Sequence, residues 1–130
     1  MPDISYDKIK HFVEVNENIL AAFTIHSGKE DYMDDLNIAE NANITKEFID
    51  KVHLNLQYIF RDLRTNSDVN KILGRIRWKI YEFDQIRMLL ICEKDRVIVV
   101  LIKSDTSLCG TVDNILGYYF EAEDIPKSLF

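Results

Sequence analysis

The stretch of the chain that most strongly suggests chemistry is YMDDL, Tyr32 to Leu36, in which two carboxylates are adjacent. In polymerases, paired aspartates on a hairpin between apolar strands hold the metal ions that assist nucleotide transfer. Such a site also needs a third carboxylate and a basic cleft for the template. Here the polar sequence NIAENAN follows at once, and 130 residues leave no room for supporting subdomains. We therefore interpret the pair as part of a solvated acidic strand or turn.

The same acidic stretch is a poor candidate for binding calcium. Asp31, Asp34 and Asp35 lack the alternating spacing and the glycine with which an EF-hand loop surrounds the cation. The three histidines of the chain lie in different segments and form neither an HxxxH nor an HExxH pair. The sequence therefore predicts no metal site.

The two cysteines are the remaining candidates for nucleophilic chemistry. Cys92 lies in an apolar run that predicts a buried strand, where a thiol is usually inert. Cys109, beside Gly110 at a predicted helix start, is the better candidate for a reactive thiol. A Cys–His pair would have to form in space, because no spacing indicates one. With no GxSxG elbow and no phosphate-binding loop, we expect no catalytic or cofactor-binding residue and no enzymatic activity.

Length and composition indicate one globular domain. Hydrophobic residues make up 47% of the chain and charged residues 29%, a balance typical of a folded protein rather than a disordered one. The net charge of −6 gives no broad attraction for a phosphate backbone, so nucleic acid is not an expected partner. No apolar run reaches the ~20 residues that span a bilayer, and no secretory signal is evident. We expect a cytoplasmic protein with reduced, buried thiols and no membrane insertion.

Hydrophobic periodicity predicts the element order α-β-β-α-β-β-β-α. The predicted elements are a helix within 3–15, a strand over 19–25, a more polar strand after a turn at Gly28, a helix from Thr45 to about Arg64, strands within 75–83, 86–93 and 96–104, and a helix over 108–121. A five-stranded antiparallel sheet flanked by helices is an α+β fold.

The second helix has the most regular pattern, with apolar residues three or four apart and Thr45 as its predicted N-cap. Leu54 and Tyr58 lie away from its main apolar stripe, and such extra apolar groups often pack against a further surface. The strand within 75–83 alternates, with Ile76, Trp78 and Ile80 on one face. If this strand is at the sheet edge, its apolar side chains make it a pairing liability.

In element order, element lengths and hydrophobic pattern, the chain resembles the roadblock (dynein light-chain) family, within the longin and profilin-like fold group. The resemblance runs from DKIKHFVEVNENILAAFTIHSGKE through IRWKIYEFDQIRMLLICEKDRVIVVLIKSD to the closing helix. It implies one roadblock-like domain over 1–130, with 1–3 and 122–130 as flexible ends. The long polar stretch before the second helix and the acidic tail after Phe120 depart from the family pattern.

The resemblance implies a sheet ordered 2-1-5-4-3, with the long second helix on one face and the terminal helices on the other. It also implies a homodimer in which the third strands pair edge to edge and the second helices meet across the two-fold axis. The residues expected at this dimer interface are Ile76, Trp78, Ile80, Leu54 and Tyr58.

Charge is unevenly distributed along the chain. Residues 29–50 contain seven acids and two bases, whereas residues 61–79 contain six bases and two acids. These segments are either two solvated faces or patches that orient a protein partner.

Two functions from different classes remain open at this point. By resemblance, the protein is a non-enzymatic dimeric scaffold or regulator that binds a small Ras-like GTPase or serves as a platform in a larger complex. The alternative is a PAS-like sensor that encloses a small ligand in a roomy interior with inward polar groups. The strands instead carry large aliphatic residues such as Leu89, Leu90 and Val99, so we favour the scaffold.

Overall fold

The elements of the fold follow the apolar patterns of the chain closely. The computed structural model describes residues 6–15, 17–26, 32–40, 42–64, 68–93, 95–104 and 108–120. In chain order the elements are α1 (Tyr6–Val15), β1 (Ile19–His26), β2 (Tyr32–Ile38), α2 (Lys46–Arg64), α3 (Asp68–Leu73), β3 (Trp78–Glu82), β4 (Ile86–Cys92), β5 (Arg96–Lys103) and α4 (Leu108–Phe120). The predicted turn at Gly28 and the predicted flexible ends lie outside the described residues.

The five strands form one antiparallel sheet in the order β2-β1-β5-β4-β3. Both the α+β class and the strand order expected from the resemblance are therefore confirmed. β5 lies at the centre, and its buried residues from Arg96 to Ile102 explain why its sequence is almost continuously apolar.

Each face of the sheet packs against helices through its own hydrophobic cluster. On one face, strand residues such as Leu89 pack with Ile9 of α1 and Ile115 of α4. On the other face, Phe23 of β1 packs in a cluster with Ile49 of α2. The expected placement of the long helix on one face and the terminal helices on the other is confirmed. We refer to these faces as the α1/α4 face and the α2 face.

α2 begins where its cap was predicted. The main-chain N–H of Phe48 donates to Oγ1 of Thr45 at 3.1 Å, which satisfies one of the N–H groups that the first turn leaves without a helical partner. The Ile49 and Leu56 side chains are buried, and Val52 packs against the same cluster. The predicted apolar stripe is therefore the face that α2 turns to the sheet.

The short helix α3 was not predicted, because six residues are too few to display a helical period. Gly74 follows it with φ 93°, the left-handed conformation that ends many helices and that glycine adopts without strain. The last two residues of α3, Ile72 and Leu73, are 80% and 78% exposed. Two large apolar side chains thus project from the surface just before β3.

The YMDDL stretch lies in β2, which is at the edge of the sheet and pairs antiparallel with β1, the strand before it. Two residues of this strand, Asp35 and Leu36, lie opposite Phe23 alone of β1, so the strand contains a β-bulge. Asp35 has φ 54°, which aspartate tolerates better than most residues. The interpretation of YMDDL as part of an acidic strand is confirmed, with Asp34 exposed and Asp35 half-buried.

None of the helices in the described ranges is both long enough and apolar enough to cross a membrane.

Candidate interface at the outer edge of the sheet

β3 is the outermost strand on its side of the sheet and, within the described residues, pairs only with β4. Two hydrogen bonds show which residues of β3 direct their main-chain groups to β4. The N–H of Cys92 donates to the carbonyl of Arg77 at 2.8 Å, and the N–H of Phe83 donates to the carbonyl of Ile86 at 3.0 Å. Since hydrogen-bonded and non-hydrogen-bonded pairs alternate in an antiparallel ladder, the odd-numbered residues between them also direct their main-chain groups to β4.

The even-numbered residues of β3 therefore direct their main-chain groups away from the sheet. These are Trp78, Ile80 and Glu82, whose pairs with β4 are of the non-hydrogen-bonded kind. Their N–H and C=O groups form a row along the outer edge. Such a row is a template for one more strand.

The side chains of β3 contribute to both faces of the sheet. Ile80 packs against the cluster on the α1/α4 face, and Tyr81 packs against the cluster on the α2 face. By alternation Trp78 lies on the same face as Ile80, and it is 44% exposed. The strand is thus anchored from both sides, while its tryptophan is exposed and, among the described residues, no further strand pairs with its outer edge.

The structure brings together some of the predicted interface residues. Trp78 and Ile80 lie in β3, as predicted, whereas Ile76 precedes the strand and is half-buried. The predicted strand over 75–83 was too long, because the chain emerges from the Gly74 turn before it enters the sheet. Leu54 lies on α2 and is 67% exposed, which confirms that it is away from the buried stripe. The side chain of Tyr58 lies outside the described side chains.

Sequence reasoning missed three exposed apolar residues near β3, namely Ile72, Leu73 and Phe83. Phe83 ends the alternating run and stacks on Tyr81 with ring centroids 6.3 Å apart. Ile72 and Leu73 are adjacent, so they fit neither a helical nor a strand periodicity. The one feature of the sequence that could have indicated them is an apolar pair before a glycine in an otherwise polar segment. Trp78 begins β3, so exposed apolar side chains occur at both ends of this strand and in the helix before it.

The predicted basic segment, residues 61–79, includes α3 and the start of β3. Its described cations, Lys71, Arg75, Arg77 and Lys79, are all exposed. The ammonium of Lys79 lies 4.9 Å from the centroid of the Tyr81 ring, a cation–π arrangement. Lys79 and Tyr81 therefore lie on the α2 face of β3, whereas Trp78 and Ile80 lie on the α1/α4 face.

The opposite edge of the sheet is acidic and irregular. The N–H of Asp35 donates to Oδ1 of Asp34 at 2.9 Å, and Nδ2 of Asn37 donates to the carbonyl of Asp35 at 3.1 Å. Oδ2 of Asp34 lies 3.7 Å from Nε2 of His26, and the His26 ring stacks on Tyr32 with centroids 4.7 Å apart. Local bonds thus hold the bulge in place.

Burial chiefly, and the neighbouring Asp34 charge, raise the pKa of the Asp35 carboxyl, while Arg96 and His26 oppose this shift. Across the described ranges, no three His, Cys, Asp or Glu side chains converge as a metal site would require. In the structure the paired aspartates lie at the bulge of the edge strand β2.

Cys92 was predicted to be buried but is half-buried, because it lies at the end of β4 where the sheet meets solvent. Burial raises the pKa of its thiol, and the positive charges of Arg75 and Lys79 only partly offset this. The thiol is therefore protonated at neutral pH, in line with the inert character predicted for it. The side chain of Cys109 lies outside the described side chains.

No protein-family model and no curated protein sequence matches the chain. Solved structures do match. A Roadblock/LC7 domain from Streptomyces avermitilis has a TM-score of 0.56 at 9% identity, over 93% of this chain and 96% of that one. MglB of Myxococcus xanthus has a TM-score of 0.58 at 16% identity, over 100% and 96%. MglC of Myxococcus xanthus has a TM-score of 0.50 at 14% identity, over 90% and 96%.

The chain therefore has the roadblock fold over nearly its whole length, as its sequence resemblance implied. At these identities the likeness defines the fold, and function has to be argued from the surface of this chain.

Proposed function

We propose that the protein is a non-enzymatic, homodimeric scaffold of the roadblock type, in which the β3 strands of two copies pair and the α2 helices meet across the two-fold axis. The proposal includes a single domain over 1–130 and a cytoplasmic location, where Cys92 stays reduced. The class of partner implied by the family resemblance is a small Ras-like GTPase, bound alone or within a larger complex.

The open edge of β3 carries this proposal. A strand that directs the main-chain groups of Trp78, Ile80 and Glu82 outward, and whose tryptophan is about half exposed, invites another strand unless something covers it. When two copies pair through β3 in an isologous contact, the β3 edge of each copy covers that of the other. The exposed Leu54 on α2 would then be covered by the second α2.

The sensor alternative has less support. A ligand-enclosing domain needs inward polar groups around a cavity, whereas Leu89, Leu90 and Val99 are fully buried among other aliphatic side chains. Both faces of the sheet are occupied by helices through these clusters. The function we propose is therefore binding of other protein chains at the surface of the molecule.

Sedimentation across a dilution series tests the dimer. We expect a dimer for the wild type and a folded monomer for Trp78→Glu, because a carboxylate at the paired edge would be buried without a partner. Tyr32→Glu is the matched control, since Tyr32 is an exposed aromatic residue on β2, at the other edge of the sheet. A wild type that is monomeric at every concentration, or a Trp78→Glu protein that remains dimeric, would remove β3 pairing from the proposal.

The GTPase part of the proposal needs a separate measurement. The purified dimer is immobilised and exposed to native lysate in the presence of GDP or a non-hydrolysable GTP analogue. A Ras-like GTPase that is retained with only one nucleotide supports a regulatory role. Retention of none under either condition would leave the dimeric scaffold without this class of partner.

A further inference from the structure

The proposed dimer can be assembled in only a few registers, because its symmetry limits how two β3 strands face each other. A two-fold axis perpendicular to the sheet keeps each side chain on its own face of the sheet. Directly opposite residues share a face, so the axis must pass beside one residue of β3, which lies opposite the same residue of the second copy. β3 has five residues. Centres at Lys79, Ile80 or Tyr81 are the ones that keep more than half of the strand paired.

Main-chain hydrogen bonding separates these three registers. Only Trp78, Ile80 and Glu82 direct N–H and C=O groups to the outer edge. With Ile80 at the centre, Ile80 faces itself and Trp78 faces Glu82, so all three outward-facing residues bond across the axis. With Lys79 or Tyr81 at the centre, one of the three falls beyond the end of the facing strand.

Charge favours the same register. A centre at Lys79 places two ammonium groups directly opposite each other, which destabilises a strand pair. A centre at Tyr81 places the Glu82 carboxylate opposite Ile80, which packs against a hydrophobic cluster. A centre at Ile80 instead places Lys79 opposite Tyr81 of the second copy, and Lys79 already lies over its own Tyr81 ring.

The position of Glu82 is compatible with the Ile80-centred register. Its carboxylate accepts a hydrogen bond from Nε of Arg87 within the same chain. The charge facing Trp78 of the second copy is thus already compensated, and the dimer does not bury an unpaired carboxylate.

We propose that the two β3 strands pair around Ile80, with Trp78 of each copy facing Glu82 of the other and Lys79 facing Tyr81. This register rests on the proposed dimer and specifies its contact residue by residue. It places the Ile80 side chains together on the α1/α4 face of a continuous ten-stranded sheet, twice the five strands of one copy.

Oxidative cross-linking of single-cysteine variants tests the register. Lys79→Cys, Ile80→Cys and Tyr81→Cys are made with Cys92→Ser and Cys109→Ser, and covalent dimer is followed on non-reducing gels. Self-facing residues lie about 5.5 Å apart between Cα atoms, within disulfide range, whereas diagonal ones lie at about 7–8 Å or more. We expect Ile80→Cys to cross-link at least roughly tenfold faster than either neighbour, since a disulfide needs Cα atoms within about 7 Å.

The Ile80 side chain is partly buried, so Ile80→Cys could fail to fold, and a second pair of variants tests the register independently. Trp78→Cys and Glu82→Cys chains are mixed, and we expect a covalent heterodimer that neither chain forms alone. Fastest cross-linking at Lys79→Cys or Tyr81→Cys would overturn the register but keep the dimer. If unmodified protein sediments as a monomer, the proposed function itself fails, so the two failures are distinguishable.

Discussion

The main-chain N–H of Asp35 donates to Oδ1 of Asp34 at 2.9 Å, and this bond between sequence neighbours holds the β-bulge of β2. Asp35 is in the left-handed region, so the bulge depends on residues that tolerate positive φ. The two aspartates that suggest metal chemistry in the sequence are instead the residues that make this edge of the sheet irregular.

Asp35→Asn should stabilise the protein at neutral pH. The pKa of Asp35 is raised above 3.8 in the folded state, so the folded protein binds this proton more tightly than the unfolded chain. Ionisation therefore costs stability above the folded pKa, and the cost disappears as pH falls below 3.8. We expect a gain of up to about 0.5 kcal/mol at pH 7 that vanishes in acid, measured by denaturant unfolding.

The control for this prediction is Asp35→Ala, which removes the same charge but strains the positive φ. It should not show the full gain of the asparagine variant. A stabilisation by Asp35→Asn that grows as the pH falls would contradict the assigned direction of the pKa shift.

Thr45→Ala should destabilise the protein by about 1 kcal/mol, because the N–H of Phe48 loses its acceptor at the start of α2. Thr45→Ser keeps the hydroxyl and should retain most of the stability. Urea unfolding of the three proteins measures the difference. Equal losses in both variants would show that the methyl group, and not the hydrogen bond, matters at this position.

Two glycines with equal space around them should respond to alanine in opposite directions. A Cβ at Gly74 or at Gly117 would meet no atom within 4 Å. Gly74 has φ 93°, so Gly74→Ala should cost about 1–2 kcal/mol in backbone strain. Gly117 lies within α4, so Gly117→Ala should add about 0.8–1 kcal/mol through helix propensity. Thermal unfolding distinguishes these outcomes, and two changes of the same sign would contradict the backbone assignments.

Ile49→Ala and Leu54→Ala, five residues apart on α2, should separate folding from association. Ile49 is fully buried, and its truncation should cost about 2–5 kcal/mol of unfolding free energy. Leu54 is largely exposed, so Leu54→Ala should leave the folded monomer intact and weaken the proposed dimer. Denaturant unfolding and sedimentation report these two effects. If Leu54→Ala leaves the dimer dissociation constant unchanged, α2 lies outside the interface.

The fold was predictable wherever a period extended over enough residues. The apolar stripe of α2 and the continuous apolar runs of β4 and β5 predicted their own burial, and Thr45 predicted the helix start. The six residues of α3 and the single extra residue of the bulge at Asp35 carry no such period. They depend on backbone conformation at Asp35 and Gly74, which composition does not reveal.

The candidate interface was predictable to the same degree. Alternation found Trp78 and Ile80, and deviation from a helical stripe found Leu54. The adjacent pair Ile72 and Leu73 was missed because neighbouring apolar residues fit no period. The sequence does not reveal which main-chain groups of β3 face outward. This depends on which residue pairs of β3 and β4 are hydrogen-bonded, and it follows from bonds such as that from the N–H of Cys92 to the carbonyl of Arg77.

The difference between the two sheet edges determines how large an assembly can become. A chain with two regular edges could add neighbours without limit and form fibres. Here the bulge at Asp35, with its adjacent carboxylates, leaves β2 unsuited to a further strand. If β3 pairs as proposed, each molecule therefore binds one neighbour through its sheet. Raising the concentration would fill the β3 edge and then stop, so growth ends at two copies and the α1/α4 face stays available for other proteins.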